Sequence, residues 1–312
     1  MLACMATIGV IRNPVKLDSE DELRAAILAQ DPDARIHSFP TTEDDPGRAM
    51  AQAALDAGCE IVFAAGGDGT VREVADVLAG TETALAIVPQ GTGNLLARNL
   101  GVPLGGVADA VTHALRAAPR RIDVGTIDVT DGDASGPHTF VVMAGLGLDA
   151  RMLVETDDDL KAKAGWLAYV KALGVAAAAT ELVSAQIVLD DDEPAQARIH
   201  TLMIGNCGMI QGGITLLPDA EPDDGVLDLL LISADDAAGW FETVRTVVWD
   251  NGLRRLFGDD ETTSTDTVRH ASAQRIRVEL DVAQPFQIDG EERGEVRAFT
   301  VAVRPGVLLV RA

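Results

Sequence analysis

The chain has 312 residues, 47% of them hydrophobic, at a length where a single core commonly divides into two. A formal net charge of −24 with only four lysines argues against a nucleic-acid partner, because phosphate backbones call for basic patches. Three widely separated cysteines, Cys4, Cys59 and Cys207, lack metal-ligand spacing and read as reduced, mostly buried thiols of a cytoplasmic protein. Leu2-Ala3-Cys4 resembles a lipoprotein cleavage site only superficially, since no charged leader or apolar segment precedes it. The longest apolar stretch, Ala164 to Thr180, is interrupted by Lys171 and two glycines and falls short of a spanning helix. Acidic runs at Asp157 to Asp159, Asp190 to Glu193 and Asp259 to Glu261 border turns and read as solvated loop acids.

In chain order, Ala6 to Asn13 predict a strand, Asp18 to Gln30 a helix, Ala34 to Phe39 a strand and Pro46 to Ala57 a helix. Ile61 to Phe63 predict a buried strand that runs into Gly66, Gly67, Asp68 and Gly69. The glycines permit positive φ there, and Thr70 is placed to cap a helix starting at Val71. The pattern then repeats: Leu85 to Val88 form a strand, Gly91-Thr92-Gly93 a turn, and Asn94 caps a helix containing Leu95, Leu96 and Leu100. A glycine turn leading into a helix points backbone amides and the positive end of the helix dipole at one spot, which is a phosphate-binding design. Two such turns in succession strengthen that reading over a pair of plain tight turns.

Alternating strands and helices with short connections indicate a parallel sheet, whose ligands bind at the carboxyl ends of its strands. Those ends carry Asn13, Thr41 or Thr42, Gly66 to Thr70 and Gln90 to Asn94, so these turns should share one rim. Asp68 is an acid at a tip where phosphates would otherwise meet only donors, which implies a cation between them. Mg²⁺ fits, since it takes one or two carboxylates and fills its octahedron with phosphate oxygens and water. After Arg121 the pattern changes to short β runs: Ile122 to Val129, Thr139 to Ala144, Ala185 to Leu189, Arg198 to Asn206, Val226 to Ile232 and Arg275 to Leu280. These suggest a sandwich, with Asp131 to Pro137 an exposed hairpin loop.

GGDGT at Gly66 to Thr70 and PQGTGNLLAR at Pro89 to Arg98 resemble the catalytic domain of the diacylglycerol kinase and sphingosine kinase family, particularly its soluble bacterial lipid kinases. GLGLDA at Gly145 to Ala150, LPDAEPDDGVLDLLLI at Leu217 to Ile232 and QIDGE at Gln287 to Glu291 extend the resemblance over nearly the whole chain. GGDGT also occurs in NAD kinases and phosphofructokinases. The Asn-Glu pair and the Thr-Pro-Thr-Gly-Ser-Thr-like stretch expected downstream in an NAD kinase are missing here.

The resemblance implies an α/β nucleotide-binding domain at 1–121, completed by 296–312, followed by an antiparallel β-sandwich lipid-substrate domain at 122–295. It implies ATP on the first-domain rim, bound through Asn13, Thr41, Thr42, Gly66, Gly67, Asp68, Gly69, Thr70, Gly91, Thr92, Gly93 and Asn94. The catalytic residues it implies are Asp68, Glu291 and Asp289, with Glu291 accepting the proton of a lipid hydroxyl and Asp289 an orienting or metal-linked partner. Taken alone, Asp289-Gly290 would be a simple hairpin turn with an exposed Glu. Besides the Mg²⁺ expected at Asp68, the resemblance implies a structural Mg²⁺ on Asp224, the carbonyl of Val226 and Glu221. One departure stands out: many members follow the second loop's Asn with an Asp, whereas this chain has Leu95, so a metal contact assigned to that Asp is absent or replaced.

Three of the four lysines, Trp166 and the only tyrosine lie within Leu160 to Lys171. Cationic and amphipathic aromatic side chains settle at membrane interfaces, so this segment could dock beside a lipid entrance. A helix packed on the β domain, with Trp166 and Val170 buried and the lysines solvated, is the preferred reading. The sequence as a whole is read as an ATP- and Mg²⁺-dependent kinase of a lipid hydroxyl, most readily that of diacylglycerol. It would be cytoplasmic, with transient peripheral contact at the inner face of the membrane, and compatible with a homodimer. An NAD kinase-like or other small-alcohol kinase and a catalytically silent nucleotide-binding regulator are the alternatives.

Overall fold

A computed structural model describes residues 6–17, 20–133, 136–147, 182–210, 215–233 and 268–312. The chain forms two compact units, one of residues 1–124 with 304–312 and one of residues 125–303.

In the first unit, β1 (Thr7–Arg12), β2 (Arg35–Pro40), β3 (Ile61–Gly66) and β4 (Ala84–Pro89) run parallel. With the end of β14 (Glu291–Val310), which joins β4 through Val310 and Leu85, their order is β14-β4-β3-β1-β2. Every residue of β3 is buried, as a central parallel strand requires, and its sequence is a continuous apolar run for that reason. Helices α1 (Glu20–Gln30), α2 (Arg48–Asp56), α3 (Asp68–Leu78), α4 (Leu95–Asn99) and α5 (Val107–Arg116) complete the layers, α1 packing with α5 and α2 with α3. The buried stripe of α5 is Val107, Ala110, Val111 and Ala114, the spacing of one helical face. Helix α2 starts where Asp45 spends both carboxylate oxygens on the amides of Gly47, Arg48 and Ala49.

Two local expectations change. Helix α3 begins at Asp68, three residues before Val71, with Gly67 as its N-cap and no side-chain cap bond. Thr70 therefore lies inside the first turn and is buried there. The turn glycines Gly66, Gly67, Gly69, Gly91 and Gly93 are also absent from the positive-φ positions, so the backbone does not need them for a left-handed conformation.

The second unit is antiparallel. Its strands run β12 (Val268–Ala273), β11 (Leu227–Ile232), β10 (Thr201–Gly205), β7 (Met143–Leu146), β13 (Arg275–Ile288), then β14. Two hairpin partners lie off this path: β8 (Val183–Leu189) with β9 (Ala195–Ile199) on β13, and β5 (Arg120–Gly132) with β6 (Gly136–Phe140) on β14. The expected run Arg198 to Asn206 splits at His200, because β9 pairs with β8 whereas β10 pairs with β7 and β11. The core holds Phe140, Leu202, Ile276, Val278, Phe286 and Phe299, with the last two rings 5.1 Å apart and tilted by 51°.

Cys59 and Cys207 are buried and outside any disulfide, and burial raises the Cys59 thiol above its ordinary range. Asp190 to Glu193 are exposed, and Asp190 accepts the amides of Gln274 and Arg275. Among the described residues no helix is long and apolar enough to cross a membrane. Cys4, the acidic runs 157–159 and 259–261, and the Leu160 to Lys171 segment lie outside the described residues.

Candidate active site

Parallel register brings the predicted nucleotide-binding turns together, since Arg12 pairs with Pro40 and Ala65, and Gly66 with Pro89. The main chain ties the turns across the strand ends. Asn13 donates its amide to the Ala65 carbonyl at 3.0 Å, Thr41 to Arg12 at 2.9 Å and Gln90 to Gly66 at 2.9 Å. The Asn13 side chain folds back to accept the Val15 amide, and the Thr42 hydroxyl oxygen accepts that of Asp45.

The glycines serve close approach. A Cβ on Gly66 would lie 2.6 Å from the Thr70 Cβ, one on Gly91 would lie 2.7 Å from the Gly67 Cα, and one on Gly93 would lie 2.6 Å from an Asp68 carboxylate oxygen. The turns after β3 and β4 therefore interlock, backbone against backbone, and no residue with a side chain fits at Gly91.

Asp68 closes this interlock. Its Oδ2 accepts the Asn94 amide at 2.9 Å and its Oδ1 the Leu95 amide at 2.5 Å, so an acid on α3 satisfies the start of α4. Asn94 stands at the N-cap position of α4, as expected, but makes no side-chain cap bond; its backbone is left-handed (φ 48°, ψ 47°) and its side chain turns onto Gly91. There its Oδ1 accepts the Gly91 amide at 2.8 Å and its Nδ2 donates to the Gly91 carbonyl at 2.7 Å. Arg98, which sequence reasoning passed over, donates its Nε to the Gly93 carbonyl at 2.7 Å and fixes the far side of the turn. Burial raises the Asp68 carboxyl above the usual range, opposed by the amides of Leu95, Asn94 and Asp68 itself and by the Lys16 ammonium. Leu95 presents its amide to this carboxylate and buries its side chain.

In the second unit, β13 and β14 form a hairpin in which Ile288 faces Glu291 across Asp289 and Gly290, with φ of 47° and 81°. Positive φ at both central residues is the geometry of a tight hairpin turn. Asp289 is 3% exposed. Its Oδ2 accepts the Val141 amide at 3.0 Å and its Oδ1 those of Val142 and Met143 at 2.9 and 3.0 Å. The Asp289 amide in turn donates to the Met143 carbonyl at 2.8 Å. Three amides on one buried carboxylate hold the turn against the chain between β6 and β7. Glu291 follows with a half-exposed side chain, and Arg293, two residues on and hence on the same strand face, donates Nη2 to its Oε2 at 2.8 Å. The Arg293 Nε is buried and has no hydrogen-bond partner among the described residues.

The acidic loop before β11 carries oxygen donors of the kind Mg²⁺ takes. Glu221 and Asp224 are exposed, Gly225 has a φ of 81°, and Asp224 Oδ1 accepts the Val226 amide at 3.0 Å. Among the described residues, no three acidic, histidine or cysteine side chains converge as a metal group. A hydrated Mg²⁺ with one or two carboxylates fits the donor chemistry of this loop and of Asp68; a fully protein-built cage does not.

Comparison with known proteins agrees with this layout. The family described as "Diacylglycerol kinase catalytic domain" matches residues 9–127, and "YegS C-terminal NAD kinase beta sandwich-like domain" matches residues 141–312. A Pseudomonas aeruginosa protein named "Probable lipid kinase YegS-like" is 33% identical over 300 residues, covering 95% of this chain and 91% of its own. A Chromohalobacter salexigens protein of the same name is 31% identical over 278 residues, covering 87% and 82%. Among solved structures, a diacylglycerol kinase from Bacillus anthracis str. Sterne shares the fold with a TM-score of 0.67 at 17% identity, covering all of this chain and 98% of its own. The class defined is a kinase of an alcohol acceptor, an α/β catalytic domain joined to an NAD kinase-like β sandwich. The chain belongs to the diacylglycerol kinase catalytic-domain family, in its YegS-like group.

Proposed function

We propose that this kinase moves the γ-phosphate of ATP onto a lipid hydroxyl, with diacylglycerol the first candidate acceptor. The observation that carries the reading is the pair of interlocked glycine turns. They leave the start of α3 without a side-chain cap, where an anion gains amide hydrogen bonds and the helix dipole. The names of the relatives support a lipid as acceptor.

Phosphoryl transfer asks the protein mainly to position groups and stabilise charge. Asn13, Thr41, Thr42, Gly66 to Thr70 and Gly91 to Asn94 would bind the nucleotide. Mg²⁺, when bound beside Asp68, would neutralise triphosphate charge, and a second Mg²⁺ on Glu221, Asp224 and the Val226 carbonyl would be structural. An alcohol hardly ionises near neutral pH, so a carboxylate that takes its proton while the new P–O bond forms is useful. Glu291 would be that base. Its carboxylate is steadied by Arg293, and its turn is fixed by Asp289, a positioning residue. The acceptor would be met at a membrane surface.

ATP consumption screened against a panel of lipids and NAD tests the reading, with consumption expected for a diacylglycerol-type acceptor. Consumption with NAD alone would move the protein to the NAD kinases. ATP binding without consumption would favour a silent nucleotide-binding regulator. Glu291→Gln should keep ATP affinity and lose about 10²- to 10⁴-fold in transfer rate, the usual worth of a general base. Unchanged turnover would remove Glu291 from the chemistry.

A further inference from the structure

Arg293 breaks the pattern around it. From Glu291 to Glu295 every residue is exposed except Arg293, whose side chain is 31% exposed against 46% for that of Glu291. Across the hairpin Gln287 pairs with Glu292 and Pro285 with Glu295, so Arg293 and Gly294 together stand opposite the single residue Phe286. This extra residue makes a β-bulge, with Gly294 at a φ of 85°, and bulges re-aim the side chains they carry.

The placement is locally unfavourable. The Arg293 Nε is buried without a hydrogen-bond partner among the described residues, which costs free energy. The bond from Nη2 to the Glu291 Oε2 at 2.8 Å offsets little of that, because ion pairs this exposed add little to stability. Three glutamates lie within two residues of Arg293, and the one it grips is Glu291, which directly follows the turn that Asp289 anchors. A half-exposed glutamate left to itself samples several rotamers. A guanidinium whose stem is buried as far as Nε removes that freedom. Local costs that stability does not offset gather at functional sites.

We propose that Arg293 is a positioning residue of the phosphoryl transfer: the bulge aims its guanidinium, and the guanidinium holds the Glu291 carboxylate in the orientation from which it takes the acceptor's proton. The proposal rests on the reading of Glu291 as the base. Asp289 fixes the backbone of the turn, and Arg293 fixes the side chain that follows it. Arg293 acts through geometry, where a displacement of about 1 Å can cost about 10²-fold in rate.

The test is steady-state kinetics of the intact chain with ATP, Mg²⁺ and diacylglycerol dispersed in neutral detergent. Arg293→Ala should lower kcat by about ten- to a hundred-fold while KM for ATP and for diacylglycerol changes little, the mark of an interaction that counts in the transition state. Arg293→Lys should recover part of the rate, since an ammonium restores the charge without the planar fork. Guanidinium chloride at a non-denaturing concentration should restore part of the Arg293→Ala rate where sodium chloride does not. In a Glu291→Gln background Arg293→Ala should cost nothing further, because no base is left to position. Unchanged kcat in Arg293→Ala would overturn the proposal. A full further loss in the Glu291→Gln background would also overturn it, showing that Arg293 acts on another group. A loss that comes with lowered denaturant stability, and that neither lysine nor guanidinium restores, would make Arg293 a brace of the hairpin and nothing more. Unchanged turnover in Glu291→Gln would sink the reading of the base itself, and a wild-type chain inactive on diacylglycerol would sink the acceptor, each taking the proposal with it.

Discussion

Asp68, the first residue of α3 in the first unit, and Asp289, in the Asp-Gly hairpin turn of the second, both give their carboxylates to main-chain amides. They differ in how completely. Asp289 is 3% exposed and takes three amides from residues 141–143, leaving little to offer a metal or a substrate. Asp68 is less buried and takes the amides of Asn94 and Leu95 from the other turn, with its own amide beside them. Asp289 is a finished structural anchor, and Asp68 clasps two turns while remaining within reach of solvent. An acid in a motif is thus not by itself a catalytic acid; its burial and the chain segments its amide partners belong to decide its part.

The comparison breaks or sharpens under substitution. Asp289→Ala should have the largest effect, because it orphans three buried amides at about 1–3 kcal/mol each, moderated by any water that enters. A loss of at least about 3 kcal/mol in denaturant stability is expected, with hydrogen exchange accelerated at Val141, Val142 and Met143. A small loss would mean that these amides find other partners, and Asp289 would cease to be the anchor.

Asp68→Asn comes next. An amide side chain has one acceptor oxygen where the carboxylate has two, so its NH₂ must face the amide of Asn94 or of Leu95. The expected cost is about 1–3 kcal/mol, and the Mg²⁺ dependence of catalysis should weaken as well. A stability loss without any change in Mg²⁺ dependence would make Asp68 as purely structural as Asp289.

The smallest effect belongs to Asp45, which shares the chemistry without a place among the proposed site residues. Against a burial cost, the amides of Gly47, Ala49 and Arg48 and the Arg48 charge hold its carboxyl below the ordinary value of 3.8. Asp45→Ala should cost about 0.5–2 kcal/mol at neutral pH, as helix-start acceptors do. A lowered carboxyl contributes stability that is present above the unfolded value and lost as pH falls through the folded one. The gap between wild type and Asp45→Ala should therefore close on acidification below 3.8, and a gap that persisted there would trace to packing.

The alternating elements, the two glycine turns and the DGE hairpin were legible because each is a local pattern of apolar runs, Gly and a turn pair. The start of α3 was misread by three residues. Thr70 has the chemistry of a cap, but an uncapped start at Gly67 carries no side-chain signature. The glycines were found for the wrong reason, since close approach between turns 24 residues apart leaves no mark that differs from a demand for positive φ. The amide partners of Asp68 and Asp289 lie 26 and 27, and 146 to 148, residues away, out of reach of any local motif.

The last strand gives the first unit its final pieces. Val307 accepts the Gly80 amide, Gly306 donates to Asp123, Val310 joins the edge of β4, and Arg311 reaches the carbonyls at the end of α5. On a ribosome the two glycine turns are therefore made long before the edge that completes their sheet. A nascent chain would carry β4 with an open edge throughout the synthesis of some two hundred residues, a hazard for strand pairing with other chains until residues 304–312 emerge.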